Sequence, residues 1–395
     1  MSKLPLASIV ISSYNYGRFL PDAIDSALAQ TYANTEVIVV DDGSTDHSRE
    51  VIAGYGERVR PVWKDNGGQA SALNAGYRAS RGEVVFFVDS DDLLLPTAVE
   101  RVLPFFADPR GAKVHWSLWT VDDKGRRTGD VVMSPLAEGD LRGAVIRDGP
   151  YGYLWPDTTG NAWARRFLEK VLPMPEEEFR TCPDLYLCGL APLFGTIGRI
   201  PEPQSCWRSH SQNHSLRHAF EERLRAGLRR EECCFDALGR CCQTAGITPD
   251  LGRWRANSWW HQIDRALRAI TSLVGPGDAF ILVDQDSWGA GPVIGGRRRI
   301  PFLERGGGDW GEPADDATAI RELERLRALG AYFMVFVPDA LWWLDYYGGL
   351  HRYLRANFRC ALENETLVIF DLRGHHRSQE AGIRSQQSEL VTSDS

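Results

Sequence analysis

Short apolar runs alternate with helical patterns through the first hundred residues, and this alternation limits the folds open to the chain. The runs are rich in β-branched and aromatic residues and read ASIVIS (7–12), TEVIVVDD (35–42), VRPVW (59–63) and VVFFVDSDD (84–92). Helix-period patterns separate them over about 19–30, 46–55 and 69–80. Near-continuous apolar strands joined by such helices are typical of a parallel sheet covered on both faces. The sequence therefore predicts an α/β fold.

Polar residues follow each of these runs at the point where the strand is expected to end. The four groups are Ser12 to Asn15, Asp41 to Ser44, Asp65 to Gly68 and Asp89 to Asp92. Parallel strands end on one edge of the sheet, and ligands bind beyond that edge, so the four groups predict one shared binding site. A single group would be ascribed to capping of the next helix.

The fourth group is unusual because it contains Asp89, Asp91 and Asp92. Three carboxylates at one strand end repel one another and raise each other's pKa unless a cation lies among them. Mg2+ or Mn2+ fits this setting, because hard divalent ions prefer carboxylate oxygens and keep positions open for substrate phosphates. Helix capping is the alternative, and it explains Asp91 or Asp92 but leaves Asp89 without a role.

Composition excludes some partners and compartments. The net charge of -8 and the isoelectric point near 5.7 argue against nucleic-acid binding, and the short basic run Arg297 to Arg299 is predicted to be a solvated loop. No apolar stretch reaches the roughly 18 residues of a membrane-spanning helix, and the N-terminus lacks a signal-peptide pattern. We therefore expect a cytoplasmic protein with at most peripheral contact at the inner face of the membrane. The adjacent cysteine pairs at 233–234 and 241–242 are interpreted as small buried residues rather than a metal site.

The rest of the chain suggests two further parts. A helical linker is predicted over 219–274, with an interruption near 246–250. Strand and helix patterns restart after Gly275 and predict a second, smaller α/β domain over 275–374. In it, 279–284, 331–337 and 365–372 are expected to be strands, 315–329 and 341–357 helices, and 289–311 a glycine-rich loop. The tail 375–395 is polar and is predicted to be disordered.

The N-terminal motifs resemble those of a known family. The stretches ASIVISSYNYGRFLPDAIDSALAQTY, VIVVDDGSTDHS and DNGGQASALNAGYRASRGEVVFFVDSDDLLLP resemble the family 2 glycosyltransferases of the GT-A fold in order, spacing and wording. The resemblance covers roughly 5–215 and implies a Rossmann-like domain over 1–218. It implies an inverting, metal-dependent enzyme that moves a sugar from a nucleoside diphosphate sugar, with a UDP-sugar favoured, to a glycan or glycolipid acceptor.

The resemblance also implies site residues. Ser12, Tyr14 and Asp42 would line the base pocket, and Asn66, Gly67 and Gly68 would let the backbone approach the nucleotide. Asn74 would reach the sugar or the diphosphate. Leu73 stands where many relatives have an arginine, so phosphate neutralisation would fall more heavily on the metal and on Arg78 or Lys64. Asp89 and Asp91 form the Asp-x-Asp motif, with Asp91 and Asp92 as the expected metal ligands.

Three later segments extend this set of residues. TTGNAWARRFLEKVLPMP resembles the acceptor side, so Gly160 and Asn161 are expected to touch the donor sugar or the acceptor. In CPDLYLCGL, Asp184 matches the catalytic base, although relatives often have Glu-Asp where this chain has Pro-Asp, and the residue alone would be taken as a helix N-cap. In CWRSHSQNHS, His210 matches a histidine that closes over the metal, and a surface histidine is the alternative.

Other functions remain open at this stage. A nucleotide-sugar-binding module without turnover is disfavoured because both a metal motif and a base candidate are present. A nucleotidyltransferase would carry a glycine-rich, basic loop after the first strand, where this chain has SSYNYG. A processive synthase would add membrane helices and a Gln-x-x-Arg-Trp motif. Four tryptophans of the second domain are predicted to be core, with a sugar-binding platform as the alternative, and they are Trp288, Trp310, Trp342 and Trp343.

Overall fold

The computed structural model describes residues 4–210, 220–285, 287–288 and 293–373. By internal contacts these residues form two compact units. The first unit contains the described residues up to 210 together with 226–258, and the second contains 220–225 and the described residues from 259 onward. The helices of the predicted linker are thus divided between the units. The predicted tail, 375–395, lies outside the described residues.

The elements of the first unit follow the predicted order through the first hundred residues. Its strands are β1 (Ala7–Ser13), β2 (Thr35–Asp42), β3 (Arg60–Lys64), β4 (Val84–Asp89), β5 (Leu93–Leu94), β6 (Gly111–Val121), β7 (Arg127–Val132), β8 (Asn161–Ala164) and β9 (Thr196–Arg208). The helices that accompany them are α1 (Leu20–Leu28), α2 (Ser48–Gly54), α3 (Gln69–Ala79), α4 (Ala98–Phe106), α5 (Arg142–Asp148), α6 (Arg165–Val171), α7 (Asp184–Phe194), α8 (Phe220–Thr244) and α9 (Leu251–Asn257). Helix α8 begins in the second unit and continues into the first.

Nine strands of the described residues form one mixed sheet in the order β3-β2-β1-β4-β8-β6-β9-β5, with β7 paired to β6. Strands β3, β2, β1 and β4 are parallel, as predicted, whereas β8 runs antiparallel to both β4 and β6. In register, Ser12 lies opposite Asp89, and Ser13 lies opposite Asp41. The polar groups that follow the parallel strands therefore share one edge of the sheet.

The central strands β1, β2 and β4 are buried on both faces, which explains their near-continuous apolar runs. On β1, Val10 faces a core formed with α3, α6, α7 and α8, while Ile9 and Ile11 face a second core formed with α1 and α4. All three side chains are fully buried. Complete burial of one such side chain contributes about 1.5–3 kcal/mol, so these strands hold the polar ends of the sheet rigidly.

The second unit contains a smaller sheet and four further helices among its described residues. The strands are β10 (Ala279–Val283), β11 (Val293–Ile294), β12 (Arg297–Pro301), β13 (Glu304–Arg305), β14 (Gly308–Asp309), β15 (Ala331–Phe336), β16 (Arg359–Asn364) and β17 (Leu367–Asp371). The helices are α10 (Trp259–Leu273), α11 (Asp316–Ala328), α12 (Trp343–Tyr346) and α13 (Gly348–Asn357). Six of the strands form a sheet in the order β11-β12-β10-β15-β17-β16, in which β12, β10 and β15 are parallel. The predicted α/β fold class is confirmed.

Three predictions for the second unit were wrong in detail. The predicted loop 289–311 contains strands β11 and β12 and a hairpin of β13 and β14, while 289–292 lie outside the described residues. The run Arg297 to Arg299 is not a solvated loop, because Arg299 is buried and its guanidinium donates to both carboxylate oxygens of Asp284 at 3.1 Å. The predicted helix 341–357 is two helices separated at Tyr347. Neutralisation by a buried carboxylate is what allows an arginine-rich segment to enter a sheet.

Two predictions about the whole chain can be compared with the structure. Within the described residues no helix is both long enough and apolar enough to cross a membrane. All eight cysteines are free thiols, and of the two adjacent pairs Cys234 and Cys242 are buried while Cys233 and Cys241 are partly buried. Burial raises the pKa of all four thiols, which favours the neutral form in the core.

Candidate functional site

The carboxylate of Asp42 organises the corner between β2, β3 and α3. One oxygen accepts from the Lys64 ammonium and from the backbone N–H of Gly67 at 2.9 Å. The other accepts from the Asn66 amide at 3.1 Å and from the backbone N–H of Gly68 at 2.7 Å. These four donors hold the loop that begins α3. In this structure Asp42 therefore shapes the predicted nucleotide loop, and its oxygens are already engaged by protein donors.

Gly68 has a backbone conformation that only glycine adopts without strain. Its φ is +90°, and a Cβ there would lie 2.7 Å from the Cα of Arg180. The backbone N–H of the next residue, Gln69, donates to the carbonyl of Arg180 at 2.8 Å. The start of α3 is thus packed directly against the segment that precedes Asp184. A glycine predicted for its closeness to a nucleotide also permits this contact between two chain segments.

The end of β1 is tied to the end of β2 through Asn15. Its side-chain oxygen accepts from the backbone N–H of Thr45 at 2.7 Å, and its own N–H donates to Ser44 Oγ at 3.0 Å. Asn15 adopts a left-handed conformation with φ of +57°. The neighbouring Tyr14 ring is 42% exposed, whereas Ser12 is buried. The predicted base-stacking ring is therefore accessible to a ligand at the shared edge.

Gln69 connects the nucleotide loop to the Asp-x-Asp motif. Its amide donates to Asp89 Oδ1 at 2.7 Å, one residue after Gly68 has donated to Asp42. The backbone N–H of Asp89 donates to Thr159 Oγ1 at 3.1 Å. Asp42 and Asp89 are thus linked through two consecutive residues, because Gly68 donates to one carboxylate and Gln69 to the other. Gln69 was not predicted as a site residue. Its position at the start of a predicted helix, directly after two glycines, could have indicated a role at the site.

Asp91 and His210, two residues predicted for the metal site, lie in direct contact. His210 Nε2 lies 3.1 Å from Asp91 Oδ2, and the imidazole is packed against the ring of Phe19 with centroids 4.5 Å apart. Its side chain is only 3% exposed, so the alternative of a surface histidine is not what the structure contains. Residues 211–219, including Asn213 and Ser215 of the same motif, lie outside the described residues.

Arg208 holds the Asp-x-Asp turn in place through hydrogen bonds. It was not predicted as a site residue. Its guanidinium donates to the carbonyl of Asp91 at 2.7 Å and to Asp22 Oδ2 at 2.8 Å, and its backbone N–H donates to Asp92 Oδ1 at 3.0 Å. The arginine side chain is 1% exposed. Asp92 is buried, and burial together with the charges of Asp91 and Asp89 holds its pKa well above the ordinary value.

Asp184 is the first residue of α7, so it lies one position after the N-cap rather than at it. Its side chain is 8% exposed. Burial, followed by repulsion from the carboxylate of Asp157, raises the pKa of Asp184 to about 7, while Arg230 and Lys113 oppose the rise. Asp184 in turn contributes to the raised pKa of Asp89, after burial and Asp91. The predicted base and the predicted metal motif are therefore electrostatic neighbours.

Asp157 is an acidic member of this site that the sequence analysis overlooked. It precedes the 3-10 turn Thr158–Gly160, and the buried Asn161 amide donates to the main-chain carbonyls of Pro156 and Asp157 at 3.0 and 2.8 Å. Burial raises the pKa of Asp157, and its charge raises the pKa of both Asp184 and Asp89. Asp157 directly precedes TTGNAW, the stretch that resembles the acceptor side, and this position was the available signal.

Lys113 is a fully buried cation behind Asp184. Its ammonium lies 3.1 Å from Cys188 Sγ and 5.3 Å from the centroid of the Tyr153 ring. Burial lowers the pKa of Lys113, and Cys188 and then the charge of Asp184 oppose that fall. Since Cys188 lies four residues after Asp184 on α7, the lysine lies beneath the helix turn that carries the predicted base.

Three other predicted site residues make contacts within the protein. The Asn74 amide donates to Met174 O and Glu176 Oε1, each at 3.0 Å, and its oxygen accepts from the Met174 N–H at 2.9 Å. Gly160 is buried, and a Cβ there would meet Pro156 at 2.6 Å. Asn161 is buried and holds the turn at Asp157. These contacts favour a positioning role for Asn74, Gly160 and Asn161.

The donor set suits a hard divalent cation. Asp89, Asp91 and Asp92 follow one another at the end of β4, and His210 lies beside Asp91. Burial is the largest cause of the raised pKa of Asp89 and Asp92, and repulsion from Asp91, which a cation would relieve, is the second. Within the described residues, no group of three or more His, Cys, Asp or Glu side chains is already arranged to hold a metal ion.

Comparisons with known proteins agree with the motif resemblance. Residues 8–167 match the family model described as glycosyl transferase family 2. An uncharacterized glycosyltransferase of Nostoc sp. is 35% identical over 215 residues, which are 53% of this chain and 66% of that protein. A hyaluronan synthase of Pasteurella multocida is 44% identical over 109 residues, which are 27% of this chain and 11% of the synthase. The chain thus spans no more than 66% of the length of these relatives.

Among solved structures, S. aureus TarS 1-349 in complex with UDP-GlcNAc is similar with a TM-score of 0.44 and 18% sequence identity, over 60% of this chain and 73% of that one. The family model and the relatives named glycosyltransferases match the part of the chain that carries the predicted motifs. The prediction of a family 2 glycosyltransferase domain is confirmed for residues 8–167, which match the family model.

Proposed function

We propose that the chain is an inverting glycosyltransferase that moves a sugar from a nucleoside diphosphate sugar to a hydroxyl group of a glycan or glycolipid. The observation that carries this proposal is Asp184, a buried carboxyl with a pKa of about 7 beside the Asp-x-Asp motif. A general base works best when its pKa lies near the working pH. An ordinary aspartate, with a pKa of about 4, would be a weaker base.

Asp184 acts on the acceptor. Its carboxylate removes the proton of the acceptor hydroxyl as that oxygen forms a bond to the anomeric carbon. The bond between the anomeric carbon and the diphosphate breaks at the same time, and its electron pair leaves with the diphosphate. Attack from the face opposite the leaving group inverts the configuration. Neighbouring Asp157 keeps the proton affinity of Asp184 high by repulsion, and Lys113 and Arg230 limit that effect.

Other residues bind and orient the donor. The exposed Tyr14 ring offers a stacking surface for the base, and the loop from Asn66 to Gly68, held by Asp42, approaches the nucleotide. A UDP-sugar is the favoured donor. Mn2+ or Mg2+ would be held by Asp91 with His210 and Asp92 nearby, and when bound it would neutralise charge on the diphosphate. Assembly of surface polysaccharide or glycolipid is the proposed setting.

A transfer assay tests this function. The purified chain is incubated with UDP-, TDP- and GDP-sugars in the presence of Mn2+ or Mg2+, and release of the nucleoside diphosphate is measured with and without candidate acceptors. Asp184→Asn should keep donor affinity while transfer falls by roughly two to four orders of magnitude, since a positioned base contributes about that much. Full turnover by this variant would remove Asp184 from the mechanism.

The metal assignment has its own test. Asp91→Ala should abolish the metal-dependent part of donor binding in calorimetry, whereas Asp130→Asn, an exposed change on β7, should leave it unchanged. Equal affinity of Asp91→Ala and wild type would refute the assignment. Donor binding without transfer or hydrolysis under any condition would favour the alternative function, a nucleotide-sugar-binding module. Release of pyrophosphate from a nucleoside triphosphate would favour a nucleotidyltransferase.

A further inference from the structure

The sheet of the second unit has its own edge at which the carboxyl ends of parallel strands meet. Strand β10 lies between β12 and β15, and all three are parallel, so their carboxyl ends meet on one edge. The chain passes from β10 to β12 on one side and then to β15 on the other. In open α/β sheets, ligands bind beyond the carboxyl ends of the strands at such a reversal of strand order. Gln285, two residues after β10, lies at this point.

The side chain of Gln285 joins three segments at this edge. Its amide nitrogen donates to Glu312 Oε1 at 3.0 Å, and its oxygen faces Trp342 Nε1 at 3.5 Å. Gln285 has a φ of +51°, which is uncommon for a residue other than glycine. Strain of this kind occurs preferentially at ligand sites, where the fold holds a side chain in a set direction.

Two exposed aromatic residues lie on one side of this amide, Trp342 in contact with it and Tyr346 beside Trp342. Four tryptophans were predicted to be core residues, and this was correct for two of them. Trp288 and Trp343 are each 1% exposed, whereas Trp342 is 39% exposed and Trp310 is 61% exposed. Tyr346, also exposed, lies with its ring centroid 5.6 Å from that of Trp342. We call Trp342, Tyr346, Gln285 and Glu312 the aromatic platform.

The exposed rings of the platform are each supported by a buried neighbour. Trp342 and Tyr346 each contact a buried neighbour, Trp343 at 5.9 Å and Tyr347 at 4.9 Å between centroids. The Tyr347 hydroxyl donates to the carbonyl of Pro313 at 2.7 Å and so ties α12 to the segment that carries Glu312. Rings immobilised in this way lose little conformational entropy on binding a ligand.

We propose that the aromatic platform binds a neutral oligosaccharide, which would be a binding site separate from the donor site of the first unit. Pyranose rings present apolar C–H faces that pack on exposed aromatic rings, while their hydroxyl groups pair with amide and carboxylate groups such as those of Gln285 and Glu312. Phosphate-bearing ligands fit less well, because the platform contains a carboxylate, and Arg299 is buried against Asp284. The choice of carbohydrate rests in part on the proposed glycosyltransferase function.

The test measures binding of short neutral oligosaccharides of glucose, mannose, galactose and N-acetylglucosamine to the full chain by calorimetry. Trp342→Ala and Gln285→Ala should each weaken binding by about tenfold, the equivalent of one lost ring contact or hydrogen bond. Tyr332→Ala is the matched control, because this ring is also 42% exposed but lies at the amino end of β15, on the opposite edge. Melting temperatures verify that all three variants fold.

The same titration distinguishes failure of this proposal from failure of the proposed function. Asp91→Ala should lose donor binding but keep oligosaccharide binding, and Trp342→Ala should do the reverse. No binding of any oligosaccharide in the panel by the wild type, equal binding by Trp342→Ala and Gln285→Ala, or an equal loss in Tyr332→Ala would overturn the platform. Competition by a nucleoside diphosphate at the platform would overturn the carbohydrate assignment.

Discussion

Replacing Asp157 by asparagine should move the pH dependence of transfer to lower pH. The pKa of Asp184 is raised from 3.8 to about 7, and this rise of about 3 pH units corresponds to about 4 kcal/mol. Burial is the largest cause and repulsion from Asp157 is the second, so we expect that repulsion to supply on the order of 1 pH unit of the rise. Removing that repulsion favours the ionised base. The acid limb should therefore fall by roughly one pH unit, since one unit is about 1.4 kcal/mol.

The assay is the initial rate of transfer between about pH 5 and pH 9 at saturating metal and donor, where the rate reports the ionisation of the base in the bound complex. Asparagine has nearly the same shape as aspartate, and the main-chain contacts from Asn161 do not depend on the carboxylate. Asp130→Asn removes an exposed carboxylate from the same unit and should not move the profile. An acid limb that stays at about pH 7 in Asp157→Asn, or that rises, would refute the reasoning.

Three further predictions concern stability. The folded protein keeps the proton of Asp184 up to about pH 7, whereas an unfolded aspartate loses it near about pH 4, so the free energy of unfolding falls as pH rises between these values. Asp184→Asn does not titrate and should melt above the wild type at about pH 8, with little difference near about pH 4; equal melting temperatures at both would contradict this. Gly68→Ala should cost about 1–3 kcal/mol in urea unfolding, and more than Gly129→Ala, which has positive φ but open space. Arg208→Lys should cost about 1–3 kcal/mol through lost hydrogen bonds to the Asp91 turn, and an unchanged unfolding curve would show those bonds to be dispensable.

The first hundred residues were predicted well because local pattern and fold agree there. Strand β2 was predicted at its observed bounds, and the helix predicted over 69–80 is found as Gln69–Ala79. A buried parallel strand can be recognised from its apolar run alone, without knowing which strands it pairs with. The binding site can then be placed at the carboxyl ends of these strands, because ligands of open parallel sheets bind there. The link from Asp42 through Gln69 to Asp89 follows from that arrangement.

The errors fall where distant residues decide the outcome. Arg297 to Arg299 were predicted to form a loop because their sequence does not show the carboxylate that neutralises Arg299. That carboxylate belongs to Asp284, 15 positions earlier in the chain. The tryptophans of the second unit are alike in sequence, yet Trp343 packs against Phe302 with centroids 6.0 Å apart while its neighbour Trp342 faces solvent. Hydrophobic period and secondary-structure propensity carry no information about contacts between residues that are distant in the sequence.

The sequence by itself determined the α/β class, the family, and the carboxylates at the strand ends, since these depend on hydrophobic period and on motifs contiguous in the chain. Only the tertiary structure decided which carboxylates interact. Asp157 and Asp184 are 27 positions apart in the sequence, and burial of both near Asp89 is what raises the pKa of Asp184 to about 7. Charge repulsion depends on the distance between the groups in space and on the exclusion of water, and the sequence alone gives neither quantity.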